Sequence, residues 1–283
     1  VPMVMGANIG TTVTNILASL GYLRRGDDFR RAFAAATVHD FFNLLAVAVL
    51  LPVELLTGYL SGLAGWITDL VIGTSGASFK SPLKAAVKMP AGWIKDLLSE
   101  LGTHGDLKGA LMIVIGLVFI FVALAFVTRN MRLLVADRVE AAINRTLGAG
   151  SGLVAIVLGM IITVAVQSSS ITTSVLVPLA AAGVLSLENV YPVTLGANVG
   201  TTVTALLASL ATGSPAAVTV ALVHTLFNLT GIALFYPVRS LRALPIRLAT
   251  GLARISAERR TWAITYVLVM FLVIPLLGVM ILR

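Results

Sequence analysis

Cysteine is absent, histidine is down to three residues, and charged side chains make up only 11% of the 283 residues. Each shortage excludes something. Without thiols there is no disulfide framework and no thiolate metal or redox centre, though nothing about compartment follows. A water-soluble domain carries about 25% charged residues. Less than half of that, beside 58% hydrophobic residues and a mean hydropathy of +1.00, leaves too little polarity to face water on every side. No G-x-S-x-G elbow, H-E-x-x-H pair or Walker loop occurs anywhere. Ser168–Ser170, His224 and Asp40 could be drawn as a hydrolytic triad, but they lack that framework, and the chain reads as a non-enzyme without cofactors.

What fills the chain instead is apolar runs. Residues 109–128 are uncharged for 20 positions and 261–282 for 22, while 32–53 is interrupted only by His39 and Asp40. About 18 apolar residues suffice to span a bilayer, so the fold class expected is an all-α, polytopic membrane protein. The net charge of +8 points to topology rather than to nucleic acid, because the arginines cluster between apolar runs. Arg24, Arg25, Arg30 and Arg31 form one group; Arg129, Arg132, Arg138 and Arg145 a second; Arg239, Arg242, Arg247, Arg254, Arg259 and Arg260 a third. The positive-inside rule puts all three in the cytoplasm. The five lysines lie within 58–108, a segment then expected outside, with Trp66, Trp93 and the amphipathic "AGWIKDLLSEL" at the interface.

Residues 146–187 carry no charge, yet 42 helical residues would measure roughly 63 Å, about twice the hydrocarbon thickness. The run must turn back, and its middle is polar: "QSSSITTS", Gln167 to Ser174. Two half-helices of about 16 residues meeting there make a re-entrant hairpin, tolerated at depth only where buried or lining a cavity.

The chain also repeats itself. Residues 1–20 and 191–210 agree at 13 of 20 positions, sharing "GAN-x-GTTVT", and "TVHDFFN" (37–43) returns as "LVHTLFN" (222–228). The first copy ends beside Arg24 and the second beside the uncharged "ATGSPAA", so the two should cross in opposite senses. Inverted repeats are a mark of secondary transporters, whose sites lie between the halves near the midplane. The expected organisation is the rest of a first repeat (1–57), an external interfacial segment (58–108), a linking span with a cytoplasmic amphipathic stretch (109–150), a second repeat (151–238), and a basic loop with a last span (239–283).

The polar residues offer two chemistries. Hydroxyls of Ser168, Ser169, Ser170, Thr172, Thr173 and Ser174, the Gln167 amide and free N–H groups at a helix break can wrap a tetrahedral oxyanion. Equally, their oxygens can ligate a small hard cation, or the small residues can pack helices. In the duplicated blocks, Asn8, Thr11, Thr12, Asn198, Thr201 and Thr204 are neutral ligands suited to sodium, against the plainer reading of a glycine packing face. Asp40 is expected near one end of a span, where it marks an ion pathway or pairs with Arg30 or Arg31. Asn43 and Asn228 are ligands or interhelical glue; His39 and His224 read as structural.

Taken together, "QSSS", "GANVGTT", "FRRAFAAATVHDFFNLLAVAVLLPVE" and "YPVRSLRALPIRLATGLARIS" resemble the type II sodium-dependent phosphate cotransporters. The resemblance implies inward symport of inorganic phosphate with sodium across the plasma (inner) membrane. Other occupants of the same fold would be another oxyanion or a non-transporting scaffold. It implies phosphate at Gln167, Ser168, Ser169 and Ser170, and sodium at Thr201, Thr204 and Asn43. Members with Asp in the "VHD" stretch are electrogenic and bind an additional sodium; here that residue is Asp40, with Ala34 and Ala36 as in the electrogenic type. Two departures touch single sodium ligands: Ala197 replaces a serine of animal members, and "YLRRGDD" replaces a Gln and an Asp before "FRRAF". Members carry two QSSS hairpins. Gln167 precedes Tyr191, the partner of Val1, by 24 residues, so the first hairpin is expected ahead of Val1 and one more span after Arg283. The short external segment points to a bacterial source.

Overall fold

The computed structural model describes residues 1–73, 82–100, 102, 105–116, 118, 119, 122, 152–212 and 214–281, and every regular element among them is helical. In chain order these are α1 (Pro2–Gly10), α2 (Val13–Leu20), α3 (Gly26–Thr57), α4 (Tyr59–Thr68), α5 (Pro82–Glu100), α6 (Gly152–Val166), α7 (Ser169–Ala181), α8 (Leu187–Thr212), α9 (Pro215–Phe235), α10 (Arg239–Glu258), α11 (Thr261–Leu268) and α12 (Ile274–Ile281). Short π-helical segments extend α4 (Asp69–Gly73) and join α11 to α12 (Val269–Val273). Among the described residues, four stretches are long and apolar enough to cross a membrane: Pro2–Leu20, α3, α8 and α9. The protein is an all-α membrane protein. Of the linking region expected at 109–150, residues 109–116 are helical; its remainder lies largely outside the described residues.

α3 is the longest element, and local chemistry sets both of its ends. Asp27 and Asp28 sit in the first turn, where the dipole favours acids, and pair one turn on with Arg30 (3.3 Å) and Arg31 (2.8 Å). Gly58 stops the helix at φ 64°, left-handed backbone that glycine adopts without a Cβ penalty. The buried carboxylate of Glu54 then accepts from the Leu60 N–H at 2.7 Å, capping α4. From there α4 runs antiparallel along α9, with Tyr59 on Thr230 (3.4 Å) and Thr68 on Thr219 (2.9 Å). So 59–68, expected at the interface, is packed along a spanning helix.

The tightest packing is α6 on α8. A Cβ added at Gly196 would lie 1.9 Å from the Ile156 carbonyl oxygen, and one at Gly159 would lie 2.2 Å from that of Val193. Only glycine lets these backbones approach so closely. In the first copy Gly6, the partner of Gly196, and Gly10, the partner of Gly200, face nothing within 4 Å among the described residues. Between the helices lies one core that includes Met5, Val38, Phe42, Tyr191 and Phe227. α10 buries Pro245, Ala249, Ala253 and Ser256 against α3 and leaves Arg239, Arg247 and Arg254 exposed.

Candidate functional site

The uncharged run breaks at Gln167, the one non-glycine residue with positive φ (55°) among those described. Left-handed backbone at such a residue costs about 1–3 kcal/mol and persists where the surroundings over-determine it. Ser168 follows in extended conformation and caps α7, its Oγ accepting from the Ile171 N–H at 3.3 Å. The half-helices are thus 15 and 13 residues long, and the N-terminus of α7, with its unpaired N–H groups, opens at the break.

The seven residues proposed for an oxyanion divide into two groups. Thr172, Thr173 and Ser174 donate their hydroxyl protons to the carbonyls of Ser168 (3.2 Å), Ser169 (2.8 Å) and Ile171 (3.0 Å). Thr172 also accepts from Thr163 (2.9 Å), which ties α7 to α6, and Thr173 accepts from the Asn15 amide (2.6 Å). A hydroxyl whose single proton is spent on a carbonyl presents lone pairs, so in this arrangement these three offer no proton to an anion. Gln167, exposed, and Ser168, Ser169 and Ser170 at the break remain. No described hydrogen bond engages the hydroxyls of Ser169 and Ser170.

Asp40 sits elsewhere than expected. With α3 starting at Gly26, residue 40 lies about 21 Å along a helix about 48 Å long, and it is fully buried. The arginines that could have paired with it are engaged by Asp27 and Asp28. Instead Oδ1 accepts from Thr12 Oγ1 at 2.9 Å, and Oδ2 accepts from the hydroxyl of Tyr266 in α11. The carboxylate therefore meets two neutral hydroxyls and no described cation, and it shares the Thr12 proton with the Ile9 carbonyl, 2.7 Å from the same Oγ1. Thr12 stands where the first repeat copy is interrupted between α1 and α2; the second copy runs unbroken through α8.

The matched asparagines and histidines form two clamps. Asn198 Oδ1 meets His39 Nε2 at 2.6 Å while its Nδ2 donates to Asn43 Oδ1 at 2.9 Å. Asn8 Oδ1 meets His224 Nε2 at 3.1 Å while its Nδ2 donates to Asn228 Oδ1 at 2.8 Å. Each asparagine of one repeat grips the imidazole and the amide, one turn apart, on the VHxxxN helix of the other. Asn43 adds a bond to the Asn8 carbonyl oxygen at 2.9 Å, joining the two clamps. Thr11, Thr201 and Thr204 donate to carbonyls near them in sequence (Asn8, Ala197 and Thr201); no described bond brings them to Asp40 or to the serine break.

Three contributors escaped the sequence reading. Tyr266 was one tyrosine in an apolar run, and its being the only hydroxyl-bearing aromatic in 261–282 was the available signal. Asn15 is where the two repeat copies differ, standing against Ala205. It is buried, and its Oδ1 has no partner among the described residues. Thr163 had no signal beyond being a lone hydroxyl in an apolar helix.

With this geometry in place, similarity to known proteins can be set beside it. The sequence profile of the family described as Na+/Pi-cotransporter matches residues 118–256. Sodium-dependent phosphate transport protein 2B of Bos taurus is 32% identical over 364 aligned residues, covering 98% of this chain and 52% of that protein. Sodium-dependent phosphate transport protein 2A of Rattus norvegicus is 34% identical over 344, covering 97% and 54%. The chain spans about half the length of the curated relatives it matches. No solved structure matches it. The profile match takes in the Gln167 break and the second repeat copy, and the relatives' alignments cover 97–98% of the chain. Over residues 118–256 the chain is thus similar to the Na+/Pi-cotransporter family.

Proposed function

We propose that the protein moves inorganic phosphate into the cell together with sodium, with a transport current, by alternating access between two inverted repeats. The observation that carries this reading is Asp40: a fully buried carboxylate with two neutral hydroxyls and no described cation, beside the interrupted first repeat copy. Such a group in a membrane helix is costly unless a cation joins it. The serine break supplies the other substrate's site, with phosphate at Gln167, Ser168, Ser169 and Ser170 and the N-terminal N–H groups of α7. Asn15 lies between them, its amide on Thr173 and its unpaired Oδ1 a further cation ligand.

The crosswise clamps support the inverted-repeat part. The same donor–acceptor pattern recurs with the repeats exchanged, as a pseudo-two-fold relation requires. The helix–break–helix of α6 and α7 fits a re-entrant hairpin. The open glycine face at Gly6 and Gly10 fits a second hairpin, packing there as α6 packs on Gly196.

The test uses the full-length protein in proteoliposomes, following labelled phosphate with and without an inward sodium gradient, at zero and inside-negative potential. Sodium-dependent uptake that grows with the potential is expected. Uptake indifferent to potential would remove Asp40's assigned role and keep symport. No uptake by folded protein would leave a scaffold. Full competition by sulfate would move the substrate to another oxyanion.

A further inference from the structure

Away from the serine break, a cavity of about 310 Å³ opens between the N-terminal part of α3, the turn joining α7 to α8, and α10. Three guanidinium groups line it: Arg30 and Arg31 from α3 and Arg254 from α10. The walls beneath them are apolar, with Ala35, Ala180, Leu185 and Ala253 all buried. We propose that this cavity binds the phosphate headgroup and first acyl methylenes of an anionic phospholipid. The proposal stands on the cavity alone and does not depend on what the protein transports.

Charge, lining and position each bear on the occupant. The two stretches that frame the cavity, 24–31 and 239–260, hold ten arginines against three carboxylates, which favours an anion. Arg30 and Arg254 make only exposed ion pairs, to Asp27 at 3.3 Å and to Glu258 at 3.7 Å. Pairs of that kind are weak and exchange readily for a phosphate. Arg31 is held more firmly, since its Nε donates to the Ala181 carbonyl at 2.8 Å and one Nη to Asp28 at 2.8 Å. That fixes the guanidinium at the mouth of the cavity while leaving other N–H donors for a ligand. A free phosphate would have no use for the alanine and leucine walls; an amphiphile uses both. The volume admits a headgroup and the start of one chain, with the rest lying along the helices. Basic pockets between membrane helices on the arginine-bearing side bind anionic lipid by this chemistry.

The experiment titrates the full-length protein in mild detergent with phosphatidylglycerol or with phosphatidylcholine. Bound lipid is counted by native mass spectrometry, and the thermal unfolding midpoint is followed in parallel. Phosphatidylglycerol is expected to bind and raise the midpoint where phosphatidylcholine does not. Removing two charges with Arg30→Ala and Arg254→Ala should weaken binding roughly 30-fold. Thr250→Trp, at an exposed lining position, fills the volume without changing charge and should abolish binding too. Arg239→Ala with Arg247→Ala removes the same charge from α10 outside the cavity and should leave binding unchanged. Equal loss in both arginine pairs would reduce the effect to general surface charge and overturn the proposal. So would inorganic phosphate giving the same midpoint shift and displacing the lipid, which would make this a free-phosphate site. Retention of lipid by folded Thr250→Trp would also overturn it.

Discussion

The carboxylate of Asp40 and the hydroxyl of Tyr266 come from α3 and α11, 226 positions apart in the chain, and their meeting yields two predictions. Asp40→Gly should abolish the transport current while electroneutral phosphate uptake persists, read as current and tracer in the same liposomes. A current that survives in folded protein would exclude Asp40 as the charged ligand. Tyr266→Phe removes one donor from Oδ2. A hydrogen bond to a charged group contributes about 1.5–3 kcal/mol, and a sodium ion would no longer have to displace it. The sodium concentration for half-maximal uptake should therefore fall about tenfold. An unchanged value would mean that Tyr266 stays on Asp40 throughout the cycle. The hydroxyls of Thr172 and Thr173 belong to this scale as well. Residue type alone put them with the serines, but their protons go to backbone carbonyls, so Thr173→Val should leave phosphate affinity within about twofold while breaking the contact to Asn15.

Among the elements, glycine placement separates the two repeat copies. Gly196→Ala would push a methyl group against the Ile156 carbonyl oxygen, 1.9 Å from an ideal Cβ, prising α8 from α6. Overpacking of this kind costs about 1–3 kcal/mol, which should appear as a lower unfolding midpoint. The matched Gly6→Ala meets nothing within 4 Å in the chain described; in full-length protein it should be as harmful as Gly196→Ala only if a second hairpin packs on that face. Comparing the two midpoints therefore tests the second hairpin directly. The Gln167 break was readable before any coordinates, because 42 uncharged residues exceed the bilayer. Its exact residue was not, since left-handed backbone at a glutamine reflects its surroundings rather than its own preference. Nor did sequence show that α4 would run back along α9: that follows only from the Tyr59–Thr230 and Thr68–Thr219 contacts.

For the molecule as a whole, the two clamps connect each repeat to the other, so their loss should be felt together. Asn8→Ala and Asn198→Ala each leave an imidazole N–H and an amide oxygen buried without a partner, at about 1–3 kcal/mol. Similar losses of thermal stability in the two variants are expected from the shared geometry; a loss confined to one would mean that the halves are not equivalent. By itself the sequence determined the solvent, the helical class, the duplication and the polar residues worth watching, because bilayer thickness and the scarcity of charge restrict what such a chain can be. It also carried the family resemblance. Which polar groups meet was left to the tertiary structure. Asp40 could have paired with Arg30 or Arg31, about three turns earlier on the same helix, and the histidines could have been idle. Short-range ion pairs within α3 took the arginines, burial set Asp40 against Thr12 and Tyr266, and the packing of one repeat on the other turned six matched residues into two clamps. Contacts between residues some 150 to 220 positions apart depend on how helices lie against each other, and local pattern does not record that.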